Sequence, residues 1–260
     1  MSSKNFLDEK WVKKIDREIQ GLRNRVGVDR KTIDEIFDKS TLLCLGKLIS
    51  DHIIDTLDFP IYTGKEGNVF RGSTPDNKFV AIKIYRTSTA TFKHILKYIT
   101  GDPRFKTVTK NRRDIIFTWT KKEYKNLKRL KEAGVRAPTP ITMIKNILVM
   151  EYIGDNVKPA NMLRDMKLTN PKKIYDTLVK FILLMYRKAG LIHSDLSSFN
   201  VLIYKNLPYL IDLGQGVLVE HPLAHDFLKR DITNIVQHFN KYNIYGDAKQ
   251  IYNTITKTRT

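Results

Sequence analysis

The sequence predicts an α+β fold with two lobes, a β-rich first lobe and a small helical second lobe. In residues 60–151, short runs rich in β-branched and aromatic residues alternate with Gly, Pro and Asn, as in antiparallel strands and turns. Later in the chain, apolar residues recur at helical spacing. Because strands and helices are segregated along the chain, we expect a first lobe at about 60–151, a linker at about 151–154 and a second lobe at about 155–260.

A helical extension is predicted before the two lobes, over residues 1–59. Within it, residues 4–26 and 31–56 place apolar side chains at helical spacing among charged ones, with an interruption near Gly27 and Asp29. The pattern predicts two amphipathic helices, and neither carries an evident catalytic motif.

The elements of the two lobes follow from local patterns. In the first lobe, strands are predicted from the runs PIYTG, NVFRGST and KFVAIKIY at 60–64, 68–74 and 78–85, and from residues 140–144 and 147–151. A helix is predicted over 121–132, before Gly134 and Pro138. In the second lobe, residues 171–189 predict an amphipathic helix from Pro171 to a stop at Gly190.

The positive charge of the chain is concentrated in one segment. The 260 residues carry a formal net charge of +19, yet residues 1–60 hold 11 basic and 11 acidic side chains. Residues 83–131 hold 15 basic and 3 acidic ones. Such a cluster predicts an electropositive face that meets a phosphate-rich partner, RNA or a ribonucleoprotein. A general richness in lysine is the alternative explanation.

The cysteine count and the length of the apolar runs exclude a protein with an internal disulfide and a membrane-spanning protein. Cys44 is the one cysteine, so the chain has no internal disulfide, and its apolar neighbours predict a buried thiol. No apolar run is long enough to span a membrane, and the first residues do not resemble a signal peptide. We therefore expect a cytoplasmic protein without a membrane partner.

A glycine-containing turn and a lysine on a strand predict contacts to phosphate. Gly64 and Gly67 lie between two predicted strands, where backbone amides can approach a phosphate, although a plain hairpin also needs glycine. Val80-Ala81-Ile82-Lys83 follows and matches the strand that carries the phosphate-pairing lysine in protein kinases. The predicted nucleotide contacts are Gly64, Lys65, Glu66, Gly67, Val69 and Lys83.

The stretch IHSDLSSFNVLI has the spacing of a kinase catalytic loop. In it, Asp195 precedes Asn200 by five residues, and Asp212-Leu213-Gly214 follows after a second apolar run. Phosphoryl transfer needs a carboxylate that orients the attacking hydroxyl and oxygen ligands that hold Mg²⁺ on the phosphates. Asp195 is predicted to supply the first, and Asn200 and Asp212 the second. His193 is expected to organise the loop by hydrogen bonding.

Two further contacts to ATP are predicted from position. Glu123 lies in the predicted helix over 121–132 and is the candidate to pair with Lys83. Residues 148–154 form a strand that runs into a glycine, and backbone groups of Glu151 and Ile153 there are predicted to bind the adenine edge.

These motifs together resemble the RIO family of atypical serine/threonine protein kinases, and within it the RIO kinase one subfamily. The resemblance covers roughly residues 60–240 and includes the stretches TGKEGNVF, YRTSTATFKHILKYITGDPRF, HSDLSSFNVLI, IDLGQGV and HPLAHDFLKRDI. The third stretch and the fourth contain the predicted catalytic and metal-binding residues. The second stretch lies in the basic segment and distinguishes this subfamily.

The resemblance implies a bilobal protein-kinase-like fold and a site that uses ATP with Mg²⁺, or with Mn²⁺ in its place. It implies that Asp195 is catalytic, that Asn200 and Asp212 bind the metal, and that Lys83 contacts phosphate. It also implies that an aspartyl-phosphate can form on Asp212. The partner that it implies is the maturing small ribosomal subunit, which the basic segment 83–131 would contact.

Departures from ordinary protein kinases leave the acceptor open. Tyr62 replaces the first glycine of the phosphate loop, Leu213 replaces the usual phenylalanine, and no Ala-Pro-Glu follows. We expect either a protein substrate bound by another surface, autophosphorylation, or transfer to water.

Two alternative functions remain beside the kinase or ATPase. One is an ATP-gated ribosome assembly factor with little kinase activity. The other is a small-molecule phosphotransferase, which is disfavoured because few acidic residues follow Asp212 to bind a cationic sugar; they are Glu220, Asp226, Asp231 and Asp247.

Overall fold

The computed structural model describes residues 37–87, 92–105 and 111–257. The helix predicted over 4–26 lies outside these residues, as does the start of the one predicted over 31–56. The chain divides into two compact units. Of the described residues, the first unit holds those up to 92, 111–121 and 140–152, and the second holds 93–105, 122–139 and 153–257. The lobe boundaries drawn from the sequence stay a prediction.

The helices of the described residues are, in chain order, α1 (Lys39–Ser50), α2 (Phe92–Ile99), α3 (Arg112–Glu132), α4 (Pro171–Leu184), α5 (Ala224–Asn240) and α6 (Ala248–Thr256). The strands are β1 (Thr56–Thr63), β2 (Gly67–Ser73), β3 (Phe79–Tyr85), β4 (Pro140–Ile144), β5 (Ile147–Glu151), β6 (Asn161–Met162), β7 (Leu191–Ile192), β8 (Val201–Tyr204), β9 (Leu207–Leu210) and β10 (Val217–Leu218). Within the described residues, no helix is long and apolar enough to cross a membrane.

The first unit is built on an antiparallel sheet with the strand order β1-β2-β3-β5-β4. The predicted strands at 140–144 and 147–151 are confirmed at both ends. Residues paired across neighbouring strands share a face of the sheet. Phe70, Ile82 and Val149 pair in one row and therefore lie on one face, whereas Val69, Lys83 and Leu148 lie on the other.

The face with Ile82 forms the core of the first unit together with α1. Cys44, Leu45 and Leu48 of that helix belong to the same buried cluster as Phe70 and Ile82. The Cys44 thiol is buried, as predicted, and burial raises its pKa. Lys83 consequently lies on the face of the sheet that α1 does not cover.

Helix α1 is shorter than the helix predicted over 31–56. Asp38 caps its first turn by accepting a hydrogen bond from the Thr41 amide at 2.7 Å. The prediction was wrong for residues 51–56, because His52 adopts a positive φ of 56° and Thr56 begins β1. Ile53 and Ile54, which lie between them, are apolar because they pack in the core of the first unit, not because the helix continues.

Helix α3 is longer than the helix predicted over 121–132, since it begins at Arg112. The Asn111 side chain accepts from the Arg113 amide at 3.0 Å, and Asp114 places a negative charge in the first turn. Both are helix-start signals that the basic residues around them obscured. The helix ends before Gly134, which has a φ of 76°, as the sequence predicted.

The second unit combines helices with two small sheets, β6-β8-β9 and β10-β7. Helix α4 starts at Pro171, and Asn170 caps it by accepting from the Lys173 amide at 3.1 Å. Its last turn, Met185–Ala189, is a π turn, and Gly190 stops it with a φ of 58°. The helix predicted over 171–189 is thus confirmed, with a wider final turn.

Candidate active site

The loop that carries Asp195 joins β7 to β8 and is fastened by helix α5. The buried Asp231 carboxylate accepts from the amides of Ser194 at 2.8 Å and Leu196 at 2.9 Å, on either side of Asp195. Asn234 of the same helix donates to the Leu196 carbonyl at 3.0 Å. Burial raises the pKa of Asp231 to about 7, although the two amides act in the opposite direction. Helix α5 therefore holds the backbone that presents Asp195.

The predicted catalytic aspartate is joined directly to the predicted metal ligand of the same loop. The Asn200 Nδ2 donates to the Asp195 backbone carbonyl at 2.8 Å and to its carboxylate Oδ2 at 3.1 Å. Gln215 donates to the same Oδ2 at 3.2 Å. Since the hydrogen bonds direct the Asn200 nitrogen toward Asp195, the Asn200 oxygen remains available as a metal ligand.

Asp212 lies beside this pair through a backbone link. The Ile211 amide donates to the Asn200 carbonyl at 3.0 Å, so Asp212 follows one residue after the contact. Asp212 has a left-handed backbone, with φ 62° and ψ 60°, and leads into a 3-10 turn over Leu213–Gln215. Aspartate tolerates this conformation better than most residues. The backbone of Asp212 thus lies next to the hydrogen-bonded pair of Asp195 and Asn200, and the catalytic and metal-binding roles of the three residues stay predictions.

His193 supports the same junction. Its Nε2 lies 3.1 Å from the Ile211 carbonyl, and its side chain is buried. This contact agrees with the expected organising role.

The predicted phosphate turn belongs to the first unit and is held by the backbone. The Gly64 amide donates to the Gly67 carbonyl at 3.0 Å, and the Arg86 amide donates to the Glu66 carbonyl at 3.0 Å. A Cβ at Gly67 would lie 2.4 Å from the Ile84 carbonyl oxygen. Glycine is therefore required at position 67 by the close approach of β3, whatever the turn binds.

The remaining predicted contacts are distributed over both units. Lys83 lies opposite Val69 in the first unit, with its Nζ 5.0 Å from the centroid of the Tyr85 ring. Glu123 is buried in the part of α3 that belongs to the second unit, and its pairing with Lys83 stays a prediction. Glu151 ends β5, and the Ile153 carbonyl accepts from the Ala160 amide at 2.9 Å.

Several residues that support the site escaped the sequence reasoning. Asp231 is one, and Lys122 and Asn126 of α3 are two more, because both donate to backbone carbonyls of the turn after Asp212. A signal was present for the latter two. They occupy the spacing i, i+4 on the helix face that also carries the buried Trp119 and Leu130, where apolar residues are expected.

The oxygen donors fit Mg²⁺ better than a transition metal. In the part of the chain that the structure describes, no three His, Cys, Asp or Glu residues cluster as a metal site. Mg²⁺ does not need such a cluster, because it takes one or two protein oxygens together with phosphate oxygens and water. Asn200 and Asp212 can supply those two oxygens.

The sequence matches a known family over most of its length. The RIO domain model matches residues 68–251. The chain is 36% identical to the RIO-type serine/threonine-protein kinase Rio1 of Haloferax volcanii over 250 residues, 95% of this chain and 86% of that protein. It is 43% identical to Rio1 of Thermoplasma acidophilum over 189 residues, 73% of this chain and 99% of that protein. Its match to human RIO1, at 36%, covers 92% of this chain but 43% of the human protein.

Solved structures with a similar fold include the Rio2 kinase of Chaetomium thermophilum. Its complex with ADP, Mg²⁺ and phosphoaspartate superposes with a TM-score of 0.64 at 24% identity, over 84% of this chain and 66% of that one. A second structure of that kinase gives a TM-score of 0.64 at 22% identity, over 83% and 68%. The fold class predicted from the sequence is confirmed by this likeness.

Proposed function

Because the chain belongs to the RIO family and is therefore an ATP-dependent phosphotransferase of the serine/threonine-protein kinase class, we propose that Asp195 orients phosphoryl transfer from Mg-ATP. The observation that carries this proposal is the hydrogen-bonded group at the loop. The Asn200 side-chain amide donates to both the carboxylate and the backbone carbonyl of Asp195. The backbone carbonyl of Asn200 accepts from the amide of Ile211, the residue before Asp212. One catalytic carboxylate and two oxygen ligands are what phosphoryl transfer requires.

Each group has a defined role in this proposal. The Asp195 carboxylate accepts the proton of the attacking hydroxyl, while the hydrogen bonds from Asn200 and Gln215 fix its orientation. The Asn200 amide oxygen and the Asp212 carboxylate hold Mg²⁺, which neutralises charge on the phosphates when bound. Mn²⁺ has the same preference for oxygen ligands and is expected to substitute.

The remaining proposed contacts are those to the nucleotide. Backbone amides of the turn that contains Gly64, Lys65, Glu66, Gly67 and Val69 contact phosphate, as does the Lys83 ammonium, which Glu123 pairs with. The Glu151 carbonyl and the Ile153 amide contact adenine. The Ile153 carbonyl already accepts from Ala160, which supports the choice of its amide for this role.

Asp212 is also proposed to accept the phosphoryl group transiently. The Rio2 kinase of Chaetomium thermophilum was crystallised with a phosphoaspartate, ADP and Mg²⁺. In this chain, an Asp212 carboxylate oxygen would form a bond to the γ-phosphorus while the bond to the bridging oxygen breaks and ADP leaves. Attack by water then releases phosphate and restores the carboxylate, which amounts to an ATPase cycle.

The proposed partner is the pre-ribosomal small subunit, contacted through the basic segment 83–131. Within the described part of that segment, helix α3 exposes several basic side chains, namely Arg112, Arg113, Lys121, Lys128 and Lys131. Exposed lysine and arginine attract phosphate backbones, and such binding weakens as salt rises. The acceptor in this setting is a ribosomal or assembly protein, or the enzyme itself.

The deciding experiment compares the wild type with Asp195→Asn and Asp212→Asn. Each protein is incubated with Mg²⁺ and γ-labelled ATP, with and without ribosomal particles, and both free phosphate and protein-bound label are followed. Transfer or release by the wild type and its loss in both variants supports the assignment, and alkali-labile label that depends on Asp212 supports the aspartyl-phosphate. ATP binding by the wild type without any transfer would instead support an ATP-gated assembly factor.

A further inference from the structure

A buried polar network surrounds the turn after Asp212. Lys122 of α3 donates through its Nζ to the carbonyls of Gly214, at 2.9 Å, and of Gly216. Asn126, one helical turn later, donates through its Nδ2 to the carbonyls of Leu213 at 2.8 Å and Gly216 at 2.9 Å. Three carbonyls of one short turn thus accept hydrogen bonds from a single helix.

A second layer fixes the orientation of the Asn126 amide. Arg104 donates through its Nη1 to the Asn126 Oδ1 at 2.9 Å, so the amide nitrogen must face the turn. Asp102 in turn holds Arg104, because its carboxylate accepts from Nε at 2.9 Å and from Nη2 at 2.7 Å. This two-point contact restricts the guanidinium to one plane.

We propose that Asp102, Arg104, Lys122 and Asn126, which we term the turn anchor, are positioning residues that hold Asp212 where it binds the metal of the nucleotide. The inference rests on the proposed function, since it concerns the same site. It assigns to the segment 102–104 and to α3 a role that neither the motifs nor the family match supplies.

Burying the polar and charged side chains of the turn anchor costs free energy, which indicates that these residues position the turn more than they stabilise the fold. Lys122 and Asn126 are 0% exposed and Asp102 is 2% exposed. Burial, with the Arg104 charge nearby, lowers the pKa of Lys122 to about 7. Apolar side chains of similar volume are often as stabilising as buried charged ones. A polar network at this position instead specifies where each carbonyl of the turn lies.

The backbone of the turn needs such support. Asp212 has a left-handed conformation, which is strained for a residue with a Cβ, though less so for aspartate than for most residues, and which persists when the surroundings enforce it. Within the turn itself, the Gly216 amide donates to the Leu213 carbonyl at 3.1 Å. A Cβ at Gly216 would lie 2.9 Å from the Asn126 Nδ2, so glycine at this position permits the close approach of the anchor.

The test compares two buried asparagines that each donate to a backbone carbonyl. Asn126→Ala removes the two donated bonds to the turn. Asn146→Ala is the control, since Asn146 is also buried and also donates to a backbone carbonyl, that of Tyr85, at 2.9 Å, in the first unit. Both variants lose a buried amide, but only the first loses contact with the turn that follows Asp212.

Three quantities are measured for each full-length protein. They are the Mg²⁺ concentration that gives half-maximal ATP turnover, the affinity for ADP with and without Mg²⁺ by calorimetry, and the thermal unfolding midpoint. For Asn126→Ala we expect the Mg²⁺ requirement to rise and the Mg²⁺-dependent part of ADP affinity to fall by about tenfold to a hundredfold, as for other groups that orient metal ligands. ADP affinity without Mg²⁺ should stay close to that of the wild type. Asn146→Ala should change the unfolding midpoint alone.

A second variant decides the matter if Asn126→Ala does not fold. Arg104→Gln leaves Asn126 in place and removes its orienting partner together with the two-point contact to Asp102, and the Arg104 side chain is partly exposed, at 12%. We expect the same change in Mg²⁺ requirement at a smaller size. The inference is overturned if a folded variant of the turn anchor loses stability but keeps the Mg²⁺ requirement and the Mg²⁺-dependent ADP affinity of the wild type.

Failure of the inference and failure of the proposed function give different results. If the wild type neither turns over ATP nor binds ADP in a Mg²⁺-dependent way, the proposed function fails and the inference fails with it. If the wild type does both and Asn126→Ala does so equally well, only the inference fails.

Discussion

The phosphate turn of the first unit and the Asp212 turn of the second unit are held in place by different means. The first is fixed by backbone hydrogen bonds between neighbouring strands and by the lack of a Cβ at Gly67. The second is fixed by side chains from distant parts of the chain, with Lys122 and Asn126 binding its carbonyls. Local strand pairing sets one turn, and buried polar contacts set the other.

This difference predicts which substitutions will displace each turn. A turn held by its backbone tolerates changes of side chain but not of backbone shape. A turn held by remote side chains can be displaced by substitutions that are far from it in sequence. The loop that carries Asp195, which is the proposed catalytic loop, belongs to the second kind, since the Asp231 carboxylate accepts from the amides on both sides of Asp195.

The largest expected effect is that of Asp195→Asn in the second unit. Under the proposed role of Asp195 as the acceptor of the hydroxyl proton, removing its carboxylate should lower the rate of phosphoryl transfer by about 10²–10⁴-fold, the usual contribution of a general base. An asparagine can still accept from Asn200 and Gln215, so the thermal unfolding midpoint should change little. The rate is measured with γ-labelled ATP. Transfer at the wild-type rate would show that the loop does not carry the chemistry.

The next effect concerns Asp231→Asn, which tests how far the catalytic loop depends on a remote carboxylate. The amide cannot accept from both Ser194 and Leu196 as a carboxylate does, and we expect a loss of about 1–3 kcal/mol in the free energy of unfolding. Phosphoryl transfer should fall as well, because Asp195 lies between those two residues.

The difference in unfolding free energy between the wild type and Asp231→Asn is expected to depend on pH. Burial raises the pKa of Asp231 from 3.8 to about 7, so between these values the folded protein keeps a proton that the unfolded chain has released. The contribution of this carboxyl to stability is therefore present below pH 3.8 and is lost as the pH rises to about 7. Urea unfolding at both ends of this window should show the advantage of the wild type over Asp231→Asn shrinking as the pH rises. A constant difference would contradict the assignment.

Gly67→Ala and Gly64→Ala test whether strand pairing holds the phosphate turn of the first unit. A Cβ at Gly67 would meet the Ile84 carbonyl at 2.4 Å, so β2 and β3 must separate, and we expect a loss of about 1–3 kcal/mol in unfolding free energy. A Cβ at Gly64 would meet the end of the exposed Tyr62 ring, which can move, so the loss should stay within about 0.5 kcal/mol. Equal losses would mean that strand pairing does not set this turn.

The smallest effect is expected from Ser194→Gly. Ser194 has a φ of 67°, which glycine adopts without strain, while its hydroxyl makes one long contact of 3.4 Å to the Ile192 carbonyl. We expect the variant to be between neutral and about 1 kcal/mol more stable by urea unfolding. A marked loss would show that the hydroxyl supports the catalytic loop.

The sequence predicted what depends on local pattern. Strands β4 and β5 and the helix from Pro171 to Gly190 follow from residue periodicity and from turn residues, and the structure has them where expected. The grouping of Asp195 with Asn200 was predictable because five residues separate them in a single loop.

The supports of the site were not predictable in this way. Asp231 and Asn126 act on residues that lie more than thirty and more than eighty positions away, respectively. Both lie on the apolar face of their helices, which indicates that they are buried but does not indicate which groups they bind. Their role appears only when the folded chain brings them to backbone groups that are buried and require partners.

The π turn over Met185–Ala189 holds one residue more than an α-helical turn, because the Gly190 amide donates to the carbonyl of Met185, five residues before it. Deleting one residue there would restore an ordinary helical turn and leave the following residues close to their present orientation. The same deletion within Pro171–Leu184 would rotate everything after it by about 100° and shift it by about 1.5 Å, so that the pairing of Ile192 with Val217 would be lost. We therefore expect the chain before the loop that carries Asp195 to tolerate a one-residue deletion in the π turn but not in the helix before it.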